Sequence, residues 1–205
     1  MKIIAVSQRV DTIPSRGERR DSLDQRLVSF LKSAGFVSIP ISNRLLLECS
    51  TSSEGILGNF MAHISPSALL LSGGNDLGEF SDRDNTEKLL LDYAELVNLP
   101  VLGVCRGMQM MATRSGAQLM TVSGHINSRH RITGKIVREV NSYHHYGFYD
   151  CPSDYEVLSK SADGVIKAIR HLNLPWEGWM WHPEREEEYS TEDVERLQKL
   201  VEGYS

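Results

Sequence analysis

Apolar positions along this 205-residue chain fall into two kinds of run. Lys2 to Val6, Phe36 to Pro40, Ala68 to Ser72 and Pro100 to Val104 are short and nearly unbroken, as expected of strands buried on both faces. Between them the spacing becomes helical. Asp21 opens one such stretch, with Leu23, Leu27, Phe30 and Leu31 on one face until Gly35. Another covers Ser53 to Ile64, and a third covers Thr86 to Val97 on Leu89, Leu90, Tyr93 and Leu96. Alternation with short connections predicts right-handed βαβ crossovers and a parallel sheet with helices on both faces, whose ligands bind at the carboxyl ends of strands. After Gly116 the pattern turns β-rich, with Arg131 to Val140, Tyr155 to Ser161, Val165 to Leu172 and Trp176 to Trp181 predicted as added antiparallel strands. A closing helix, Thr191 to Val201, has Glu192 and Asp193 in its first turn, where the helix dipole favours them.

Composition narrows the class without changing this picture. With 40% hydrophobic and 24% charged residues and no linker or repeat, residues 1–205 are expected to form one α/β domain. A net charge of -5 gives no general affinity for nucleic acid. No apolar stretch approaches a membrane span or a secretory core, so the expectation is a cytoplasmic protein without a membrane partner. The three cysteines, Cys49, Cys105 and Cys151, are odd in number and widely spaced, which suits reduced thiols better than disulfides or a zinc ribbon.

Candidate chemistry concentrates at Val101-Leu102-Gly103-Val104-Cys105-Arg106-Gly107-Met108-Gln109. Cys105 stands between an apolar strand and a helical segment, with glycine two residues away on each side. That is the pattern of a nucleophile elbow, in which a strained turn presents the nucleophile beside helix N–H groups able to hold an oxyanion. A core cysteine flanked by turn glycines fits the same residues. A second segment, Trp179-Met180-Trp181-His182-Pro183-Glu184, ends a strand with His182 and Glu184 on one side of an extended backbone, so that Glu184 can orient His182. The His-x-Glu spacing also occurs in zinc deaminases, but these need a later Cys-x-x-Cys, and no cysteine follows Cys151. An α/β-hydrolase would place its acid between nucleophile and histidine, whereas the order here is Cys105, His182, Glu184.

The two segments together resemble the nucleophile motif and distal His-x-Glu pair of class I glutamine amidotransferases, and within them the stand-alone γ-glutamyl hydrolase branch. The likeness spans nearly the whole chain: Leu71-Ser72-Gly73-Gly74 is similar to the loop that supplies an oxyanion amide, and Asn141-Ser142-Tyr143-His144 to the strand end that holds the glutamyl backbone. This resemblance implies catalytic roles for Cys105, His182 and Glu184, and oxyanion N–H groups from Gly74 and Arg106. It also implies glutamyl contacts from Gly73, Gln109, Tyr143, His144, His145 and Tyr146. It further implies a small-molecule γ-glutamyl substrate, a cysteinyl thioester, and neither cofactor nor metal. His145-Tyr146 stands where the family usually has a glycine. More narrowly, the chain is similar to the hydrolases of bacterial capsular phosphoramidate synthesis, which remove glutamate from a γ-glutamyl-CDP-amidate. The same catalytic residues also suit a general γ-glutamyl amide hydrolase or a glutaminase subunit that passes ammonia to a synthase partner.

Other features carry less. His125, His130, His144 and His145 lack acidic ligands at a metal-binding spacing. Met108, Met110 and Met111, like Trp176, Trp179 and Trp181, read as packing, and the Glu184 to Glu188 run reads as a solvated face apart from Glu184. Arg9, Arg16, Arg19 and Arg20 cluster in the expected loop and helix start after the first strand, where they form either a solvated surface or contacts to leaving-group phosphates. Arg129 and Arg131 are weaker candidates for the same contacts.

Overall fold

The computed structural model describes residues 2–45 and 53–203. Along the chain run β1 (Lys2–Ser7), β2 (Arg9–Ile13), β3 (Glu18–Ser22), α1 (Gln25–Ser33), β4 (Phe36–Ile41), α2 (Ser53–Ile64), β5 (Ala68–Leu71), α3 (Ser81–Leu96), β6 (Val101–Val104) and α4 (Arg106–Arg114). The second half adds β7 (Met120–Thr121), β8 (Ile126–Gly134), β9 (Arg138–Tyr143), β10 (Tyr146–Gly147), β11 (Tyr155–Ser161), β12 (Ile166–His171), β13 (Trp176–Trp179) and α5 (Thr191–Glu202).

A 9-stranded sheet in the order β4-β1-β5-β6-β13-β12-β11-β8-β9 organises the molecule. From β4 to β13 the pairings are parallel, and from β13 to β9 they are antiparallel. The expected parallel half with antiparallel additions is therefore present. Because side chains alternate along a strand, Ile4, Val6, Leu70, Leu102 and Val104 face α1 and α5, while Ala5, Leu69, Leu71 and Val101 face α2, α3 and α4. Strands β1, β5 and β6 are thus covered on both sides, which is why each reads as an apolar run, while β4 at the sheet edge is only partly buried. Trp176, Trp179 and Trp181 are at most 1% exposed and serve as packing, with Trp179 and Trp181 stacked.

Three boundaries differ from the sequence reading. The arginine-rich stretch after β1 is a β-hairpin, β2 paired with β3, and not a loop leading into a helix at Asp21. Helix α1 starts later, because the Asp24 side chain caps it by accepting from the Arg26 N–H. Arg131 to Val140, expected as one strand, spans the turn of the β8–β9 hairpin, with Gly134 at φ +131°. Helix α3 begins at Ser81, before its apolar stripe, so that Asp82, Arg83 and Asp84 are helical too. Cys49 lies outside the described residues. Cys151 is half-buried, and burial pushes its thiol up to about 11 against the opposing charge of Lys160. Among the described residues no helix is long and apolar enough to cross a membrane.

Candidate active site

Strands β1, β5, β6 and β13 lie side by side in parallel, so the segments leaving their carboxyl ends must converge. Leu71 is in register with Gly103, and Val104 with Trp179, and the Cys105 N–H continues the ladder to the Trp179 carbonyl at 2.7 Å. One edge of the sheet therefore collects Arg9, Ser72 to Gly74, Cys105 and His182. Arg9, Gly74, Cys105, Arg106, Gln109, Tyr143, His144, His145 and His182 line a single cavity of about 270 Å³, together with Asn75, Asp76, Glu79 and Arg185.

Cys105 has φ +52° and ψ -105°, a strained conformation for a residue with a side chain, at the junction of β6 and α4. Two glycines make this turn possible. A Cβ on Gly107 would lie 2.2 Å from the Leu71 carbonyl oxygen, and one on Gly103 would lie 2.6 Å from the Gly107 carbonyl carbon. The elbow can press against β5 only with glycine at both places. Arg106 is the first residue of α4, so its N–H has no partner within the helix.

His182 stands over the loop after β5, close enough that a Cβ on Gly73 would fall 2.6 Å from its ring. Its Nδ1 is 2.6 Å from Glu184 Oε1, both side chains being buried. Burial opposes charge on His182, but Cys105 and Glu184 outweigh it and push the imidazole up to about 9. Its backbone is held by a residue absent from the sequence-derived set: Asn141 of β9 accepts from the His182 N–H at 2.9 Å and donates to its carbonyl at 2.8 Å. The Tyr143 ring stands edge-on to His182, with centroids 5.8 Å apart.

A buried ion network supports the opposite wall. Arg83 donates to the carbonyls of Ser72 at 2.7 Å and Gly73 at 3.0 Å, to that of Gly74, and to Asn75 Oδ1 at 3.0 Å. A trans peptide points each carbonyl away from the next N–H, so the Gly74 N–H faces away from Arg83. Burial, aided by Arg106 and Arg9 and opposed by Glu87, lowers the guanidinium to about 10, so it stays charged at neutral pH. Glu87, fully buried, accepts from Arg83 and Arg106 and, at 2.8 Å, from Ser7. The Arg106 side chain, also bonded to Asp84, thus points away from the cavity.

Of the residues expected to bind the glutamyl group, Gln109, Tyr143, His144 and His145 line this cavity, Gly73 lines a smaller one beside it, and Tyr146 lines neither. Gln109 donates to the Tyr146 carbonyl at 2.8 Å, which ties the Tyr146 main chain to α4. Beneath His144 lies Lys167, fully buried, whose three protons meet three acceptors: His125 Nδ1 at 2.8 Å, Ser142 Oγ at 2.7 Å and His144 Nε2 at 2.9 Å. Desolvation lowers Lys167 to about 8 although Asp163 and Cys105 oppose it. Desolvation together with Lys167 takes His144 down to about 3 and keeps it neutral. Two of the histidines that could suggest a metal are thus bound to an ammonium. Among the described residues no group of three or more His, Cys, Asp or Glu has the arrangement to hold an ion.

The four clustered arginines part company. Side chains of a hairpin alternate between faces, which sends Arg19 Nη2 to both carboxylate oxygens of Asp82 at 2.9 and 2.7 Å and Arg20 to Glu18, while Arg16 occupies the exposed turn. Only Arg9 of the four lines the cavity. It is joined by Arg185, which the acidic run around it concealed in the sequence.

The family model described as glutamine amidotransferase class-I matches residues 41–199. The γ-glutamyl-CDP-amidate hydrolase of Campylobacter jejuni is 33% identical over 125 residues, covering 58% of this chain and 62% of that protein, less than two thirds of its length. The glutamine-hydrolyzing GMP synthase subunit of Pyrococcus abyssi is 30% identical over 143 residues, covering 65% of this chain and 74% of that one. Among solved structures, a GMP synthase subunit of Thermoplasma acidophilum superposes with a TM-score of 0.72 over 98% of this chain and 93% of its own, at 18% identity, which speaks for the fold. With its family model matched over most of its length, this chain belongs to the class I glutamine amidotransferases.

Proposed function

We propose that the protein hydrolyses a γ-glutamyl amide through a thioester on Cys105, and that its substrate is a γ-glutamyl-CDP-amidate, giving glutamate and cytidine diphosphoramidate. The observation that carries the reading is the placement of Cys105 on a positive-φ turn facing a buried His182–Glu184 pair. Likeness to the Campylobacter jejuni hydrolase supports the choice of substrate.

In this scheme the Cys105 thiolate attacks the γ-carbonyl, and the N–H groups of Gly74 and Arg106 hold the oxyanion. His182 then protonates the departing nitrogen. In the second half it takes a proton from the water that attacks the thioester, while Glu184 keeps the ring oriented and stabilises imidazolium. Gln109, Tyr143, His144 and His145, with the main chain of Tyr146, form the glutamyl side of the pocket, while Gly73 lines the smaller cavity beside it.

Trapping tests the scheme directly. Mass spectrometry of protein quenched during turnover should show a glutamyl adduct on Cys105, and Cys105→Ala should lose roughly 10⁴-fold or more in kcat while keeping its circular dichroism spectrum. Full activity in Cys105→Ala would remove the proposed nucleophile. A glutaminase subunit serving a synthase is the second reading, favoured by the likeness to the Pyrococcus abyssi GMP synthase subunit. Glutamine turnover that appears only when a synthase is added would replace the first reading with this one.

A further inference from the structure

We infer that Arg9 and Arg185 form a two-guanidinium clamp for an anionic, phosphoryl-type leaving group on the His182 side of the site; the inference rests on the hydrolase reading above. A second, smaller cavity adjoins the first. Arg9, Gly74, His182 and Arg185 line both, but the smaller one reaches neither Cys105 nor Gln109. The two arginines therefore stand where the two cavities meet, at the His182 end. The departing nitrogen must lie at that end, because it takes its proton from His182.

Both guanidinium groups are placed and free to take a ligand. Arg185 leaves β13 on the turn Pro183–Arg185 and stacks its guanidinium on the Tyr143 ring, 4.5 Å from the centroid. That contact fixes the plane of the fork without using its N–H groups. Among the described residues its Nε is buried without a hydrogen-bond partner, and its one ion-pair contact is a long 3.9 Å to Glu184 Oε1, the oxygen that already meets His182. Arg9 engages Asp11 through Nε alone at 2.8 Å, which leaves its Nη end over Gly74, where Nη1 lies 3.1 Å from the position of a Cβ. Of the acids lining the smaller cavity, Asp24 caps α1 and Glu184 meets His182 through Oε1, so neither makes a hydrogen bond to Arg9 or Arg185. Asp76 and Glu79 line only the larger cavity. Two cations with open forks, converging beside the proton donor to the leaving group, suit phosphate oxygens carried on the scissile nitrogen.

The test compares kcat/KM for γ-glutamyl-CDP-amidate with that for γ-glutamyl-p-nitroanilide, whose leaving group is uncharged. The proteins are the unmodified chain, Arg9→Gln, Arg185→Gln and Arg185→Lys, with Arg16→Gln as a control from the hairpin turn. The ratio of the two values should fall roughly 10- to 100-fold in Arg9→Gln and in Arg185→Gln. It should fall less in Arg185→Lys, which keeps the charge but not the fork, and should hold in Arg16→Gln. An unmoved ratio overturns the clamp. So do equal losses on both substrates, which would set the arginines against the glutamyl group or the catalytic residues. If the unmodified chain turns over neither substrate, the hydrolase reading fails, and calorimetric titration with pyrophosphate decides the clamp alone. Binding that is lost in Arg185→Gln upholds it, and no binding to the unmodified chain overturns it.

Discussion

At the residue scale, His182 sets the pH range of the proposed chemistry. The departing nitrogen takes its proton from His182, and against burial Cys105 and Glu184 push that ring up to about 9, so it carries the proton through neutral pH. The alkaline limb of kcat/KM should therefore lie near 9, where His182 loses that proton. Glu184→Gln removes a negative charge 2.6 Å from Nδ1, which disfavours imidazolium and should move that limb to lower pH. It should also lower kcat roughly 10²- to 10⁴-fold with little change in substrate binding. A pH–rate profile whose limb stays fixed in Glu184→Gln would assign the titration to another group.

At the scale of elements, the proposed oxyanion wall depends on how α3 grips the loop after β5. Arg83 holds three successive carbonyls of that loop, and Glu87 ties Arg83 to α4 through Arg106 and to β1 through Ser7. Lysine keeps a charge at position 83 but cannot span three acceptors with a planar fork. Arg83→Lys should consequently loosen the Gly74 N–H and cost about 10-fold or more in kcat with KM nearly unchanged. Steady-state kinetics in which only KM rises would show that Arg83 shapes the substrate pocket instead. None of this network was visible in the linear pattern, where Asp82-Arg83-Asp84 lies before the apolar stripe of α3.

Over the whole molecule, the site depends on the added antiparallel half, which brings Asn141, Tyr143 and His144 up to strand ends supplied by the parallel half. Lys167 of β12 joins the residues around β8 and β9 through His125, Ser142 and His144. Lys167→Met would leave three buried acceptors unpaired and should cost about 2 to 5 kcal/mol, read as a lower urea midpoint at an unchanged m-value. A midpoint within error of the unmodified chain would mean that the cluster relaxes without its cation. The linear pattern was enough to establish the alternation of buried strands and helices and the glycine-flanked turn at Cys105, as well as the His182-Pro183-Glu184 segment, because these rest on period and on short-range spacing. It took the folded chain to join Arg9 with Arg185 while Arg16, Arg19 and Arg20 turn away. Folding alone placed Asn141 on the His182 backbone and buried Arg83, Glu87 and Lys167. A charged residue declares no partner in sequence, since the energy that permits its burial comes from groups brought close by the fold, here as many as 80 positions apart between Ser7 and Glu87.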